Sequence, residues 1–410
     1  MFSRRKFLAS AALSAAVTQL PSIGRAQNKT LRVGILSCKS GALASGGKQM
    51  EDGFALFLKE RGGSVAGLQV ELTVADTSGQ PALAKTRAQE LVERANVDLI
   101  VGPVAAFEAL AINDYLAEAK VPLLCSSAAA EDLTQRKLNP WFVRTSSSSA
   151  QPCHPLGEYA ARELGYKSVI TIADDFAFGQ EQTAGFQRVF EANGGTVSSK
   201  LWAPLTTADY GTYISQMSGA DAVFAAFAGA NGLRFLKQFN DYGMKDQIPV
   251  ISAMTTVDEG VLKSMGDEAL GIISAGWYSA ALPTAENKAF VDQLRAITGV
   301  DPGFYSVGAY SAGLALEAAL KSTGGNIEDK QAFMDALKKV EISNDPRGPW
   351  KLDQYGNPVQ NIYIRKVERK DGRLVNSVVR TYDKVSQFWN YSPEQFLASP
   401  VYSRNDPAKI

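Results

Sequence analysis

The stretch with the clearest capacity for chemistry is residues 121–134, VPLLCSSAAAEDLT. The short apolar run at 121–124 reads as a buried strand. It passes into Ser126 and Ser127, three alanines, and then Glu131-Asp132-Leu133-Thr134. That is the order strand, small-residue turn, helix start. Small side chains leave backbone N–H groups open at a helix N-terminus. Such a terminus attracts anions, because its unpaired N–H groups and the helix dipole point the same way. The pattern also describes an ordinary strand-to-helix turn with a serine cap. No capping box reinforces that turn, since Ala130 stands three residues after Ser127, where Glu or Gln would be needed.

Residue types that carry catalysis are sparse. The chain has one histidine, His154, beside Cys153. Sequence neighbours do not make a nucleophile–base pair, which must be brought together across space. One histidine and the scattered Cys38, Cys125 and Cys153 do not supply a usual zinc set, so neither a metal nor a cofactor is expected. No GxSxG, HExxH or GxxxxGK[ST] motif occurs. The segment from Gly41 to Lys48 opens like a phosphate loop, but Gly47 precedes Lys48 and Gln49 stands where Ser or Thr belongs. Asp174 and Asp175 are adjacent at a strand end, where their side chains diverge and serve the turn. These observations point to a binding protein and not an enzyme.

The first 26 residues read as an export signal. Ser3-Arg4-Arg5-Lys6-Phe7-Leu8 is a twin-arginine pattern, an alanine-rich apolar run follows, and Gly24-Arg25-Ala26 resembles a cleavage site. No other run is apolar and long enough to span a bilayer. The expected location is the periplasm. The chain is formally neutral, and cleavage would remove Arg4, Arg5, Lys6 and Arg25 but no acid. The remainder is mildly acidic and offers no basic field for nucleic acid. An odd cysteine count in an oxidising compartment leaves at least one thiol unpaired. Cys38 and Cys125 both end expected strands, so a disulfide between them competes with three buried thiols.

Elements that must position the 121–134 turn follow a regular alternation. Strands are expected at 31–37, 68–75, 97–101 and 121–124, with helices at 49–61, 81–94 and 107–119. Alternating strands and helices call for a parallel sheet covered on both faces. After the serine run at 146–149 a second series starts, with strands at 168–173, 196–202, 222–227, 250–253 and 271–278 and helices between them. Helices at 285–297, 305–321 and 330–338 follow. A hairpin is expected around Lys370-Asp371-Gly372, and then a tail rich in aromatic residues. The expected fold is therefore α/β, two doubly wound lobes joined by several crossings near 146–151, 276–281 and 345–349. One lobe comprises 27–146 plus 281–345, the other 147–280 plus 346–384, with 385–410 as the tail. A cleft between such lobes is where a ligand sits.

The order of four blocks carries a resemblance: LRVGILSCKSGALASGGKQMEDGFALFLKERGG, VDLIVGPVAAFEALAINDYLAEAKVPLLCSSAAAEDLT, ADDFAFGQE and DAVFAAFAGANGLRFLKQFNDYG. Together they resemble the type I periplasmic binding proteins of the leucine/isoleucine/valine-binding group, which serve ABC importers. The closing VSQFWNYSPEQFLASPVYSRNDP resembles a branch associated with aromatic and related organic acids. The resemblance implies a carboxylate held by the loop at 104–107 and the turn at 126–128, partly through backbone N–H groups. It singles out Ala106, Phe107, Ser126, Ser127 and Ala128, with Ser45 from the first loop. Phe178 and Phe227 would cover the ligand from the second lobe, and Phe178, Phe227 and Trp277 could enclose a ring.

Amino-acid binders place a carboxylate near the end of the strand matching 250–253. Here Ala253-Met254-Thr255-Thr256 stands in its place, with Thr255 at the site and Asp258 the first acid. A buried ammonium without a counter-charge costs several kcal/mol, on the order of the penalty for breaking a buried ion pair. A small carboxylate with an apolar or aromatic body is therefore the expected ligand, ahead of a branched-chain amino acid. The expected partner is the permease of an ABC importer. A ligand-sensing receptor subunit is the alternative role, and an exported enzyme the remote one.

Overall fold

The computed structural model describes residues 30–404; the export-signal reading falls outside them. The first sheet is built from β1 (Thr30–Ser37), β2 (Ser64–Val65), β3 (Leu68–Asp76), β4 (Leu99–Val101), β5 (Leu123–Cys125) and β6 (Phe142–Arg144). Their spatial order is β2-β3-β1-β4-β5-β6, and only the β2–β3 pair is antiparallel. Every residue of β4 and β5 is buried, as parallel strands covered on both faces require. The covering helices are α1 (Ala44–Glu60), α2 (Pro81–Glu93) and α3 (Ala106–Ala119).

The second sheet begins after α4 (Cys153–Arg162). It contains β7 (Ser168–Asp174), β8 (Thr196–Ala203), β9 (Ala222–Ala226), β10 (Val250–Ala253) and β11 (Ile273–Gly276). Helices α5 (Ala177–Ala192), α6 (Gly211–Ile214), α7 (Ala230–Asp241) and α8 (Glu259–Leu262) lie between them. The chain then returns to the first sheet. Helices α9 (Ala285–Thr298) and α10 (Phe304–Ser322) pack on α1, and α11 (Lys330–Leu337) packs on α10. The short strands β12 (Glu341–Ile342) and β13 (Trp350–Leu352) and the long hairpin β14 (Pro358–Lys370) with β15 (Arg373–Val385) rejoin the second sheet. β7–β11 run parallel, and β14 adds to β11 antiparallel.

Two local expectations are corrected. The first helix starts at Ala44, five residues earlier than expected, and takes in Gly46 and Gly47. Glycine is required there by close approach, not by a turn: a Cβ on Gly47 would lie 2.8 Å from the Cys38 carbonyl carbon, and one on Gly46 would lie 2.8 Å from Tyr305 Cζ. At 131–134 only a 3-10 turn forms, so no α-helix begins behind the serine turn.

The serine run at 146–149 is not a solvated tether. All four serines are at most 2% exposed. Arg347 donates to the Thr145 and Ser146 carbonyls (2.7 and 3.2 Å), Gln360 donates to Ser146 O (2.8 Å), and Ser149 donates to Ala129 O (2.9 Å). The Arg347 guanidinium also lies over the rings of Trp277 (4.8 Å) and Trp350 (4.3 Å). One buried cation thus joins the three connections that run between the sheets. Burial pulls its pKa down to about 10, opposed by Asp345.

The cysteines are free and buried. β4 lies between β1, which ends one residue before Cys38, and β5, which ends at Cys125. Two strand spacings of about 4.8 Å exceed the roughly 7 Å limit on Cα separation for a disulfide, so that pairing is excluded.

The tail packs on the body through α12 (Pro393–Ala398). Arg188 of α5 lies beneath the rings of Phe396 (4.8 Å) and Tyr402 (4.4 Å), and His154 Nε2 meets the Tyr402 hydroxyl at 3.1 Å. From the first lobe, Arg136 donates to the Phe396 and Ser399 carbonyls (3.2 and 2.8 Å).

Candidate functional site

Parallel sheets gather the carboxyl ends of their strands, and the segments leaving those ends meet between the two lobes. A cavity of about 20 Å³ lies there, bounded by Leu43, Val104, Ala105, Ala106, Ser127 and Ala129 of the first lobe. Phe176, Phe178 and Ala228 of the second lobe, with Phe304 and Tyr305 of α10, complete it. About one water molecule fits such a volume, so a ring-bearing ligand requires the lobes or the Phe side chains to part. None of these residues is charged.

Five helices, α1, α3, α5, α7 and α10, begin at or beside this cavity. Their first-turn N–H groups have no carbonyl four residues earlier to accept them. Two of the five have acidic partners on another element. Asp258, at the start of α8, accepts the Phe304 N–H at 2.6 Å. Asp174, at the end of β7, accepts the Ala228 N–H at 2.8 Å and Asn231 Nδ2 at 2.7 Å, fixing the loop before α7. Burial raises the Asp174 pKa to about 7 against those bonds. By contrast α3 and α5 begin after Ala105 and Phe176, which carry no oxygen or nitrogen to cap them. Glu108 accepts the Ala105 N–H from below at 2.8 Å and so orders the loop, leaving the Ala106 and Phe107 N–H groups without a side-chain cap.

The aromatic wall crosses the cleft. Phe107 of α3 meets Phe176 edge-on at 5.4 Å, and Phe176 stacks on Phe178 at 6.0 Å with 28° between planes. Phe178 is 8% exposed. The Tyr305 hydroxyl accepts the Gly229 N–H, and Ala230 N donates to Ala42 O at 3.3 Å, so backbone from both lobes is bonded around the cavity.

Of the residues singled out in sequence, Ala106, Ser127 and Phe178 line the cavity, and Phe107 supports its wall. The others lie elsewhere. The Ser45 and Ser126 hydroxyls are buried off the lining. The Ala128 N–H, expected to be open to a ligand, donates to Pro103 O at 3.2 Å, because the turn folds back on the 103–104 loop. The Ser127 hydroxyl likewise donates to Val104 O at 2.8 Å. Phe227 is fully buried, edge-on to Tyr210 (5.4 Å) and tilted against Phe235 (5.0 Å) in the second core. The alternation along the strand exit turns Ala228, not Phe227, to the cavity. Thr255 Oγ1 bonds Phe227 O at 2.7 Å and braces that exit. Trp277 is fully buried between Phe304 (5.3 Å) and Arg347, where it belongs to the inter-sheet connections.

Sequence reasoning missed Phe176, Phe304 and Tyr305. Phe176 was detectable, because it immediately precedes the α5 start and lies two residues from Phe178. Phe304 and Tyr305 follow Pro302-Gly303 at a helix start, but only the return of the chain to the first sheet brings them to the cleft.

Among the described residues no group of three or more His, Cys, Asp or Glu side chains could hold a metal ion, and no helix is long and apolar enough to cross a membrane. Residues 30–373 match the periplasmic binding protein family. A Leu/Ile/Val-binding protein homolog from Brucella melitensis is 30% identical over 363 residues, covering 86% of this chain and 92% of the relative. A solved ABC-transporter solute-binding protein from Rhodopseudomonas palustris BisB5, in complex with 3,4-dihydroxybenzoic acid, is 36% identical with a TM-score of 0.84, covering 87% of this chain and 98% of that one. Another from Rhodopseudomonas palustris HaA2, in complex with p-hydroxybenzoic acid, is 31% identical with a TM-score of 0.82, covering 88% and 99%. The chain therefore belongs to the periplasmic binding protein family, and with it to the extracytoplasmic solute-binding components of ABC transporters, which carry ligands and do not transform them.

Proposed function

We propose that this protein captures a small aromatic carboxylate of the benzoate type between its lobes and delivers it to the permease of an ABC importer. The observation that carries this reading is the cavity wall: Phe176, Phe178, Phe304 and Tyr305 line it and would flank a ring once the lobes or the Phe side chains part, and the α3 and α5 starts present N–H groups without side-chain caps. Uncapped helix starts suit a carboxylate, and aromatic neighbours add about 0.5–1.5 kcal/mol per offset or edge-on pair beyond area burial. The absence of any carboxylate from the lining disfavours an α-amino acid, whose ammonium would lack a counter-charge. The hydroxybenzoates in the related solved structures agree with this class. Export by the twin-arginine route is part of the same reading, from Arg4 and Arg5.

The test is calorimetric titration of the purified, refolded protein with benzoate, 4-hydroxybenzoate, 3,4-dihydroxybenzoate, leucine and isoleucine, paired with thermal unfolding. A ligand at a hundredfold excess over Kd stabilises by about 2.7 kcal/mol. The benzoates are expected to give the largest rise. Tighter binding of leucine or isoleucine overturns the assignment. Replacing Arg4 and Arg5 by lysine is expected to stop export, and unchanged export refutes the twin-arginine route.

A further inference from the structure

A second cavity, about 340 Å³, opens away from the cleft, where the loop after α9 rests on the second lobe. The first lobe contributes Arg295 and Asp301; the second contributes Lys263 after α8 and Arg369 and Arg373 at the hairpin tip. Direct contacts already cross it: Lys263 Nζ donates to Gly299 O at 3.0 Å, and Arg373 approaches Asp301 at 3.8 Å.

The charges around this cavity do not balance. Four cationic side chains line it, with Glu259 and Asp301 as the lining acids. Glu259 is turned onto buried Arg365, with both carboxylate oxygens within 3.4 Å of Nη1. Asp301 is divided between Arg295 (2.5 Å) and Arg373, and Arg295 also approaches the half-exposed Asp292 at 3.8 Å, which leaves Lys263, Arg369 and Arg373 as the less compensated cations. Arg369 pairs with Asp267, whose side chain is 78% exposed and only weakly effective as a counter-charge. Lys263 has a carbonyl partner and, among the described residues, no carboxylate within 4 Å. An excess of positive charge is thus held at a concave surface shared by both lobes, where a bound anion would interact more strongly than on a flat face.

We propose that this cavity is a second anion site, taking a small di- or tricarboxylate, and that its occupancy favours lobe closure. At about 30 Å³ per water, its volume corresponds to roughly eleven waters, more than a monatomic ion fills and enough for a citrate-sized molecule. The surplus cations sit on different elements, which suits an anion with separated charges. Such an anion draws Lys263, Arg369 and Arg373 of the second lobe toward Arg295 of the first. It therefore stabilises the arrangement in which the aromatic cleft is shut, and its coupling to the cleft ligand is reciprocal.

The site does not depend on the identity of the cleft ligand; the coupling rests on the benzoate reading. Citrate is therefore titrated first into protein free of aromatic acids, at constant ionic strength set with sodium chloride. Saturable binding of one citrate per chain is expected, weakened at least tenfold in Lys263→Ala/Arg373→Ala and unaffected by Phe178→Ala. Absence of saturation, or equal citrate affinity in the double variant, overturns the site. Preferential binding of benzoate or inorganic phosphate there overturns the polycarboxylate class. Circular dichroism checks that the double variant is folded; should it fail, Lys263→Gln on the exposed lysine carries the same comparison. In the second stage, citrate is expected to lower the Kd for 4-hydroxybenzoate by the factor by which 4-hydroxybenzoate lowers the Kd for citrate. Citrate binding that leaves the Kd for 4-hydroxybenzoate unchanged refutes the link to closure, and failure to bind 4-hydroxybenzoate refutes the cleft assignment while leaving the citrate titration intact.

Discussion

Gly303→Ala is a clean perturbation of lobe closure. Gly303 has extended backbone angles (φ −128°, ψ −159°) that alanine adopts without strain. Its environment is what forbids a side chain: an added Cβ would lie 2.6 Å from Asp258 Cγ. Asp258 starts α8 of the second lobe and accepts the Phe304 N–H at 2.6 Å, the first residue of α10 on the first lobe. The substitution therefore expels a carboxylate from a helix start across the interface, and moves the same carboxylate off the Gly260 N–H (3.0 Å) that it caps at the start of α8. Hydrogen bonds to charged groups contribute about 1.5–3 kcal/mol, equivalent to about 10- to 150-fold in a dissociation constant. The contact to Phe304 joins the two lobes, so its loss is expected in ligand affinity, while the lost cap on α8 is expected to cost the ligand-free protein about 0.5–2 kcal/mol. Calorimetry with 4-hydroxybenzoate measures the first, and thermal unfolding without ligand measures the second. Unchanged affinity refutes the claim that Asp258 holds the lobes together. A fall in ligand-free stability well beyond that of a lost cap would mean that the interlobe contact persists without ligand, which refutes the reasoning equally.

Phe178→Ala is expected to weaken 4-hydroxybenzoate by about fivefold, roughly 1 kcal/mol of ring contact, with a folded far-ultraviolet spectrum; unfolding instead would make Phe178 a core residue. His154 is pushed down to about 3 from 6.5 by burial and then by the Arg188 cation, so the folded protein holds it neutral. The unfolded chain binds that proton first, so its contribution is fully present above pH 6.5 and is lost at about 1.4 kcal/mol per unit as pH falls toward 3. As His154 is the chain's one histidine, its ring proton signals report the titration directly, and an inflection near 6.5 in folded protein contradicts the burial argument. The three cysteines are expected to resist a disulfide reagent in native buffer and to react together on denaturation, because burial raises Cys38 and Cys125 to about 11 and holds Cys153 higher still. Stoichiometric labelling of native protein would refute this.

Both sheets were readable because parallel strands covered on two faces leave continuous apolar runs such as LIV at 99–101, and because such strands alternate with helices. The hairpin at 370–373 was readable from its Asp-Gly turn. The site was less accessible for a specific reason. Side-chain direction at a strand exit changes with each residue, so a one-place difference sends Phe227 into the core and Ala228 to the cleft. The turn at 126–128 brings Ser127 to the cavity, yet the Ala128 N–H serves an internal bond to Pro103 O and the Ala128 carbonyl accepts from the Cys125 thiol, which only the folded neighbours reveal. Trp277, near the end of the strand expected at 271–278, reads in sequence, with Phe178 and Phe227, as able to enclose a ring. Its partner Arg347 is 70 residues away in the chain, and no local pattern announces that contact.

The two uncapped helix starts have a mechanical consequence. Each carries roughly half a positive elementary charge, and closure brings the α3 start of one lobe toward the α5 start of the other, with no acid in the lining between them. On the benzoate reading, a monoanion seated between them is attracted by both starts. If the cargo is such an anion, a neutral analogue of equal size, the corresponding benzamide, is expected to bind more weakly than the acid.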